Sequence, residues 1–192
     1  MPQVKAKLQQ MESIQQIKAT KNWIQQVVID CNFCPFAAQV FLQNKIEYAW
    51  LDGTDIGICM EQLLVELNKL DTNTLIETTF LLLPGYNPSF TEFLNIIEAA
   101  EASILVYDYE GIYQIASFHP LYQFEGADLH DAANYTNRSP VAMLHILREA
   151  SIDAVLEKYN NPAIIPERNI TFAQQKGIAF MQQLLHQAIH TA

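Results

Sequence analysis

All three arginines of the chain, Arg138, Arg148 and Arg168, fall within 31 consecutive residues, whereas the eight lysines are scattered and mostly precede them. A guanidinium carries a rigid fork of donors that grips a carboxylate or phosphate through two bonds, which an ammonium cannot do. Arginine confined to one stretch therefore points to specific pairing. The partner is either a bound anion or an internal acid, and Glu149 beside Arg148 and Glu167 beside Arg168 are at hand for the second. His145, Arg148 and Glu149 stand at i, i+3 and i+4, so on a helix they share one face. Half-buried together, such groups tune a proton donor near neutral pH. All five histidines also lie in the second half of the chain, from His119 onward.

Further polar residues add to this set. His119 closes the strand-like run Ser117-Phe118-His119-Pro120, and strand ends in α/β sheets carry ligands. Glu77 is the odd charge in an apolar strand and needs an edge position or a partner, for which Arg148 and His119 are candidates. Asn134, Tyr135, Asn137 and Arg138 lie in a hydrogen-bonding stretch before Ser139-Pro140. A helix beginning there would offer free amides to an anion. Cys31-x-x-Cys34 has the spacing of a redox or metal half-motif, but a helix precedes it and no second pair exists. Cys34 before Pro35 remains a thiol candidate at a helix start, against the plainer reading of a small buried residue.

The elements that must position these groups alternate. Apolar residues at helical spacing from Ser13 predict a helix ending near Asp30, and Pro35 opens a short one. Ile46–Leu51 reads as a strand ended by Asp52-Gly53, followed by a helix through Cys59, Leu63, Leu67 and Leu70. Thr74–Leu83 reads as a strand stopped by Pro84-Gly85, with both faces of its apolar tail covered. Ser89 and Glu92 spell a capping box for the next helix. Ile112–Phe118 is a third strand. Leu121–Ser139 has no period and is long for a loop in a compact domain, a length that is often functional. Ser139-Pro140 is expected to start a helix carrying Leu144, Leu147, Ser151 and Val155 and ending at Asn160-Asn161-Pro162. A last helix is expected from Pro166 to the C-terminus. This order predicts an α/β sandwich of about three strands with helices packed on it and extra C-terminal helices. An α+β arrangement stays open, since strand direction is not encoded in the pattern.

Composition narrows the function. The 192 residues fit one domain, residues 1–192, with a flexible segment over about 1–12. Half the residues are hydrophobic and 17% are charged, enough for a packed core. A formal charge of −10 disfavours nucleic acid and anionic membranes as partners. No apolar run approaches the roughly 20 residues of a membrane span. Met1–Ser13 has no apolar core or cleavage site, so no signal peptide is expected, and three cysteines fit a reducing cytoplasm. No pattern specifies a cofactor, a metal set or an oligomeric state.

Read together, Cys34-Pro35-Phe36-Ala37, Glu77-Thr78-Thr79, Ser117-Phe118-His119-Pro120 with Tyr122-Gln123-Phe124, Asn134 through Pro140, His145-x-x-Arg148-Glu149-Ala150-Ser151 and Glu167-Arg168-Asn169 resemble a bacterial family designated domain of unknown function 1415. The resemblance covers about residues 20–178. It implies a small single-domain cytoplasmic protein and brings no activity. The family pattern has one cysteine, at the Cys34 position, and an apolar residue where this chain has Cys31, which weakens a paired-cysteine reading. The leading expectation is a small anionic metabolite, carboxylate or phosphate, held by Arg138, Arg148, Arg168, Asn134, Tyr135, Asn137 and Glu77. His119, His145 or Glu149 would move a proton in a hydrolase or transferase. The alternatives are a non-enzymatic interaction protein whose Arg-Glu-His network is structural, and a thiol-based redox protein using Cys34.

Overall fold

The computed structural model describes residues 2–51, 55–84, 88–157 and 161–191, with side chains from residue 10 onward. Asp52, Gly53, Gly85 and Asn160, read as element ends, lie outside them. The chain opens with α1 (Pro2–Trp23), which begins within the stretch expected to be flexible, and continues directly into a π-helical segment, Ile24–Ile29. Then follow α2 (Ala37–Leu42), β1 (Ile46–Trp50), α3 (Ile56–Thr72), β2 (Thr78–Leu82), α4 (Phe90–Val106) and β3 (Tyr113–Phe118). A 3-10 turn (Ala132–Thr136) lies in the long connection to β4 (Met143–Arg148), which leads straight into α5 (Glu149–Leu156). α6 (Ile164–Lys176) and α7 (Ile178–His190) complete the chain.

The strands form one four-stranded sheet in the order β1-β2-β4-β3. β1 and β2 run parallel, and β4 is antiparallel to both β2 and β3. The α/β class is as the alternation implies, with one strand more than three. That strand, β4, occupies the stretch read as a helix. Met143, His145 and Leu147 alternate with Leu144, Ile146 and Arg148, and both faces of this central strand are covered. Apolar residues on both faces satisfy a helical period as well as a strand period, so periodicity alone cannot separate the two. The helix begins only at Glu149. Pro140 starts no helix, and the Ser139 hydroxyl donates to the Val141 carbonyl at 2.7 Å.

Two apolar layers follow from the pleat. Thr79, Leu81, Leu144 and Ile146 face α3 and α4, where Leu63, Leu67, Phe93 and Ile96 complete one core. Thr78, Phe80, Leu82, Met143 and His145 face the other way. There Trp23, Ile24 and Val27 with Ala173 and Met181 of the C-terminal helices form the second. Local chemistry marks the boundaries. Asp55 accepts from the Ile58 amide at the start of α3, and the Ser89–Glu92 capping box starts α4 as its sequence spells. Among the described residues no helix is long and apolar enough to cross a membrane.

The last expected helix is broken in two by Gly177, at φ 80° and ψ 159°. This region is essentially restricted to glycine. A Cβ there would meet no atom within 4 Å, so the cost of a side chain is conformational and not steric. Gly177→Ala is expected to lower stability in urea by about 1–3 kcal/mol. Unchanged stability would show that the break between α6 and α7 does not depend on this backbone conformation.

Candidate functional site

A cavity of about 710 Å³ lies between the second face of the sheet and the segment from Trp23 to Gln43. Its wall is apolar and aromatic. Phe80 of β2, Phe118 at the end of β3 and Trp23 at the end of α1 border it, with Ile24 and Val28 from the π-helical segment and Ile152 and Val155 from α5. The aromatic rings lock one another. Trp23 meets Phe118 edge-on at 4.9 Å and Phe80 at 6.4 Å, and the fully buried Trp23 indole donates to the Arg138 carbonyl at 2.9 Å. The polar lining is gathered from several elements: Cys34, Gln39, Gln43, Lys45, Glu77, Thr78, His145, Arg148 and Ser151.

His145 sits at the floor. Its ring stacks on Phe80, its cross-strand partner, at 3.8 Å and 10°. One edge is fixed. Nε2 lies 2.7 Å from the Thr78 hydroxyl, which itself lies 2.5 Å from the Ile146 carbonyl. A carbonyl only accepts, so the Thr78 proton goes there, and Nε2–H of His145 must donate to Thr78. The other nitrogen, Nδ1, therefore carries a lone pair, and it makes no hydrogen bond among the described residues. The ring borders the void and is partly buried. Burial pushes its pKa down to about 3, so it is a neutral acceptor at physiological pH.

Beside it, Ser151 donates to the Glu77 carboxylate. Ser151 at the start of α5, and not Arg148 or His119, is thus the partner of the strand-end charge. Arg148 borders the cavity but alternates to the opposite layer. Its guanidinium donates to the Leu70 and Ile76 carbonyls and to the Tyr113 hydroxyl. Tyr113 in turn donates to Asp71 at 2.7 Å. Burial, then the Asp71 contact, push the Tyr113 hydroxyl up to about 12.

The other sequence candidates lie elsewhere, so the structure does not gather His119, Arg138, His145, Arg148, Glu149 and Arg168 around one cavity. His119 is 3% exposed beneath Phe90 and Phe93. Its Nδ1 accepts from the Leu121 amide, and its Nε2 therefore donates to the Pro88 carbonyl. Both nitrogens are spent, and burial holds its pKa below the ordinary value. Arg138, 8% exposed, stacks on Tyr135 and donates to the Tyr122 and Leu129 carbonyls. The side chain of Asn134 bridges the Phe124 amide and the Asp128 carbonyl, and Asn137 donates to the Ser117 carbonyl. With no helix starting at Pro140, this stretch forms no anion seat at a helix start. Its polar groups close the β3–β4 connection on itself. Arg168 donates to the Asn32 carbonyl, and the neighbouring Asn169 to that of Phe33. These bonds fasten the turn before Cys34. The Glu149 amide donates to the Ile112 carbonyl where β4 becomes α5.

The two cysteines of the x-x pair face different spaces. Cys34 borders the cavity and Cys31 borders a separate open groove with Phe172 and Lys176. Both are free thiols. Burial pushes the Cys34 thiol up, outweighing the Phe36 and Ala37 amides that favour the thiolate. Thr78, Ser151 and Phe118 are site residues that the sequence offered within its motifs without marking their role. Lys45 and the π-helical turn carried no signal.

The sequence profile of the family described as protein of unknown function (DUF1415) matches residues 15–183, and the chain belongs to that family. No curated protein and no solved structure matches the chain.

Two expectations follow. Arg148→Ala strands the carbonyls of Leu70 and Ile76 and is expected to lower Tm by roughly 5–15 °C. A variant as stable as the parent would contradict the bracing role. For His145, the unfolded chain takes up a proton near pH 6.5, whereas the folded protein resists until about 3. Between these values the unfolded state binds more protons. The contribution of neutral His145 is thus complete above about 6.5 and is lost as pH falls. In His145→Gln the dependence of stability between about pH 6.5 and 5 should flatten by up to about 1.4 kcal/mol per pH unit, with His119 keeping its own share. An unchanged slope would mean that His145 is not held neutral.

Proposed function

We propose that the chain is a binding protein for a small organic molecule with a flat or apolar body, taken into the cavity between the sheet and the π-helical segment. The observation that carries this reading is the cavity itself. Its size falls within the range of roughly 300–1,000 Å³ typical of small-molecule sites, and it pairs an aromatic wall with a few convergent polar groups. A π-helical turn on its wall supports the reading, since such turns are rare and concentrate at functional sites.

Recognition, and not turnover, is what the contacts favour. The Ser151 proton goes to Glu77 and the His145 Nε2 proton to Thr78, so no imidazole activates a hydroxyl among the described residues. The anionic-ligand expectation rested on three arginines, and each donates to backbone carbonyls. What remains for an anion at this cavity is Lys45, which makes no ion pair among the described residues. The raised thiol of Cys34 gives thiol chemistry less support than binding.

A thermal-shift screen of small aromatic compounds bearing amine, hydroxyl, carboxylate or phosphate heads tests the proposal. A ligand at about 100 times its Kd adds about 2.7 kcal/mol, which raises Tm by roughly 5–10 °C in a chain of this size. The shift should vanish in Val28→Trp, which fills the cavity. Either no saturable response from any class or an equal response in a folded Val28→Trp variant would overturn it.

A further inference from the structure

Around His145 and Glu77 the hydroxyl and imidazole protons are committed, and the side chains of Lys45, Gln39 and Gln43, which also line the cavity, hydrogen-bond to neither residue. Thr78 gives its proton to the Ile146 carbonyl, and His145 gives its Nε2 proton to Thr78. Ser151 gives its proton to Oε1 of Glu77. The guanidinium of Arg148, which also borders the cavity, is turned to the opposite layer, on the Leu70 and Ile76 carbonyls and the Tyr113 hydroxyl. Two acceptors are left without a partner among the described residues: Nδ1 of His145 and Oε2 of Glu77. Both residues border the same void.

We propose, building on the binding reading above, that this end of the cavity is a receptor for a protonated amine or amidinium carried on an aromatic or apolar body. An ammonium brings donors and no acceptor, so it suits both the imidazole lone pair and the carboxylate that border this void. The carboxylate supplies the countercharge, and Lys45 makes no ion pair that would occupy it among the described residues. The rings of Phe118 and Trp23 favour a cation nearby through their π-faces. A carboxylate or phosphate head would instead set lone pairs against lone pairs and charge against Glu77. A hydroxyl head has one proton for two waiting acceptors.

Three probes share one body and differ in the head: phenethylamine, phenethyl alcohol and hydrocinnamate. Each is titrated at neutral pH into the protein with amide and histidine-ring resonances recorded by NMR. The amine is expected to bind at least about tenfold more tightly than the other two, to move the His145 Nδ1 resonance, and to lose about tenfold in Glu77→Gln, while alcohol binding stays unchanged. Gln at this position can still accept from Ser151, so the fold is preserved. Alcohol or hydrocinnamate binding in the cavity as tightly as the amine would overturn the head-group assignment and leave the cavity reading standing. Amine binding unaffected by Glu77→Gln would likewise overturn the assignment. No probe perturbing residues of the cavity would overturn the assignment together with the binding reading on which it rests.

Discussion

A hydroxyl has a single proton, and in this protein the Thr78 hydroxyl gives it to the Ile146 carbonyl across the β2–β4 pairing. That one commitment propagates. It makes Thr78 an acceptor toward His145, which fixes the tautomer of the ring. The tautomer leaves a lone pair on the imidazole that borders the cavity between the sheet and the π-helical segment. Burial, with Phe80 stacked against one face, keeps the ring neutral, because charging it in this setting would sacrifice its hydration without a countercharge in contact. The unpartnered lone pair that His145 presents at the cavity thus follows from the register of two strands.

The arginines serve a different end. Each donates to carbonyls of segments that no strand or helix ladder satisfies. Arg138 holds Tyr122 and Leu129 of the β3–β4 connection, Arg148 holds the end of α3 and the approach to β2, and Arg168 holds the turn before Cys34. A buried carbonyl without a donor is costly, and a guanidinium with its fixed fork answers two at once. The restriction of arginine to one stretch of sequence is therefore real specificity, spent on the chain's own backbone. It gives the cavity rigid borders, since the turn held by Arg168 leads into Cys34, and α5, with Ser151, follows directly on Arg148.

Much of this was legible and some could not be. The capping box at Ser89, the break after Phe118 and the all-buried β2 are local signals, and local structure obeyed them. β4 was not legible, because a strand buried on both faces carries no alternation of apolar and polar residues, and Leu144, Leu147 and Ser151 fit a helix equally well. The same misreading put His145, Arg148 and Glu149 on one face. In the strand His145 and Arg148 alternate, so the imidazole faces the cavity and the guanidinium meets Tyr113 in the opposite layer. The partners of the arginines were hidden for a separate reason. They are backbone atoms, which every residue possesses, and they lie as far as 136 positions away. Glu77 was rightly marked as a charge in need of a partner, but a serine 74 positions on gives no more signal than any other serine.

The ring nitrogens of His145 offer the most direct measurement, through their 15N chemical shifts and one-bond proton couplings in the unliganded protein. A protonated Nε2 and a bare Nδ1 are expected, with neither shift titrating between neutrality and about pH 5. A protonated Nδ1, or a ring that takes up a proton near its ordinary pKa of 6.5, would contradict this assignment.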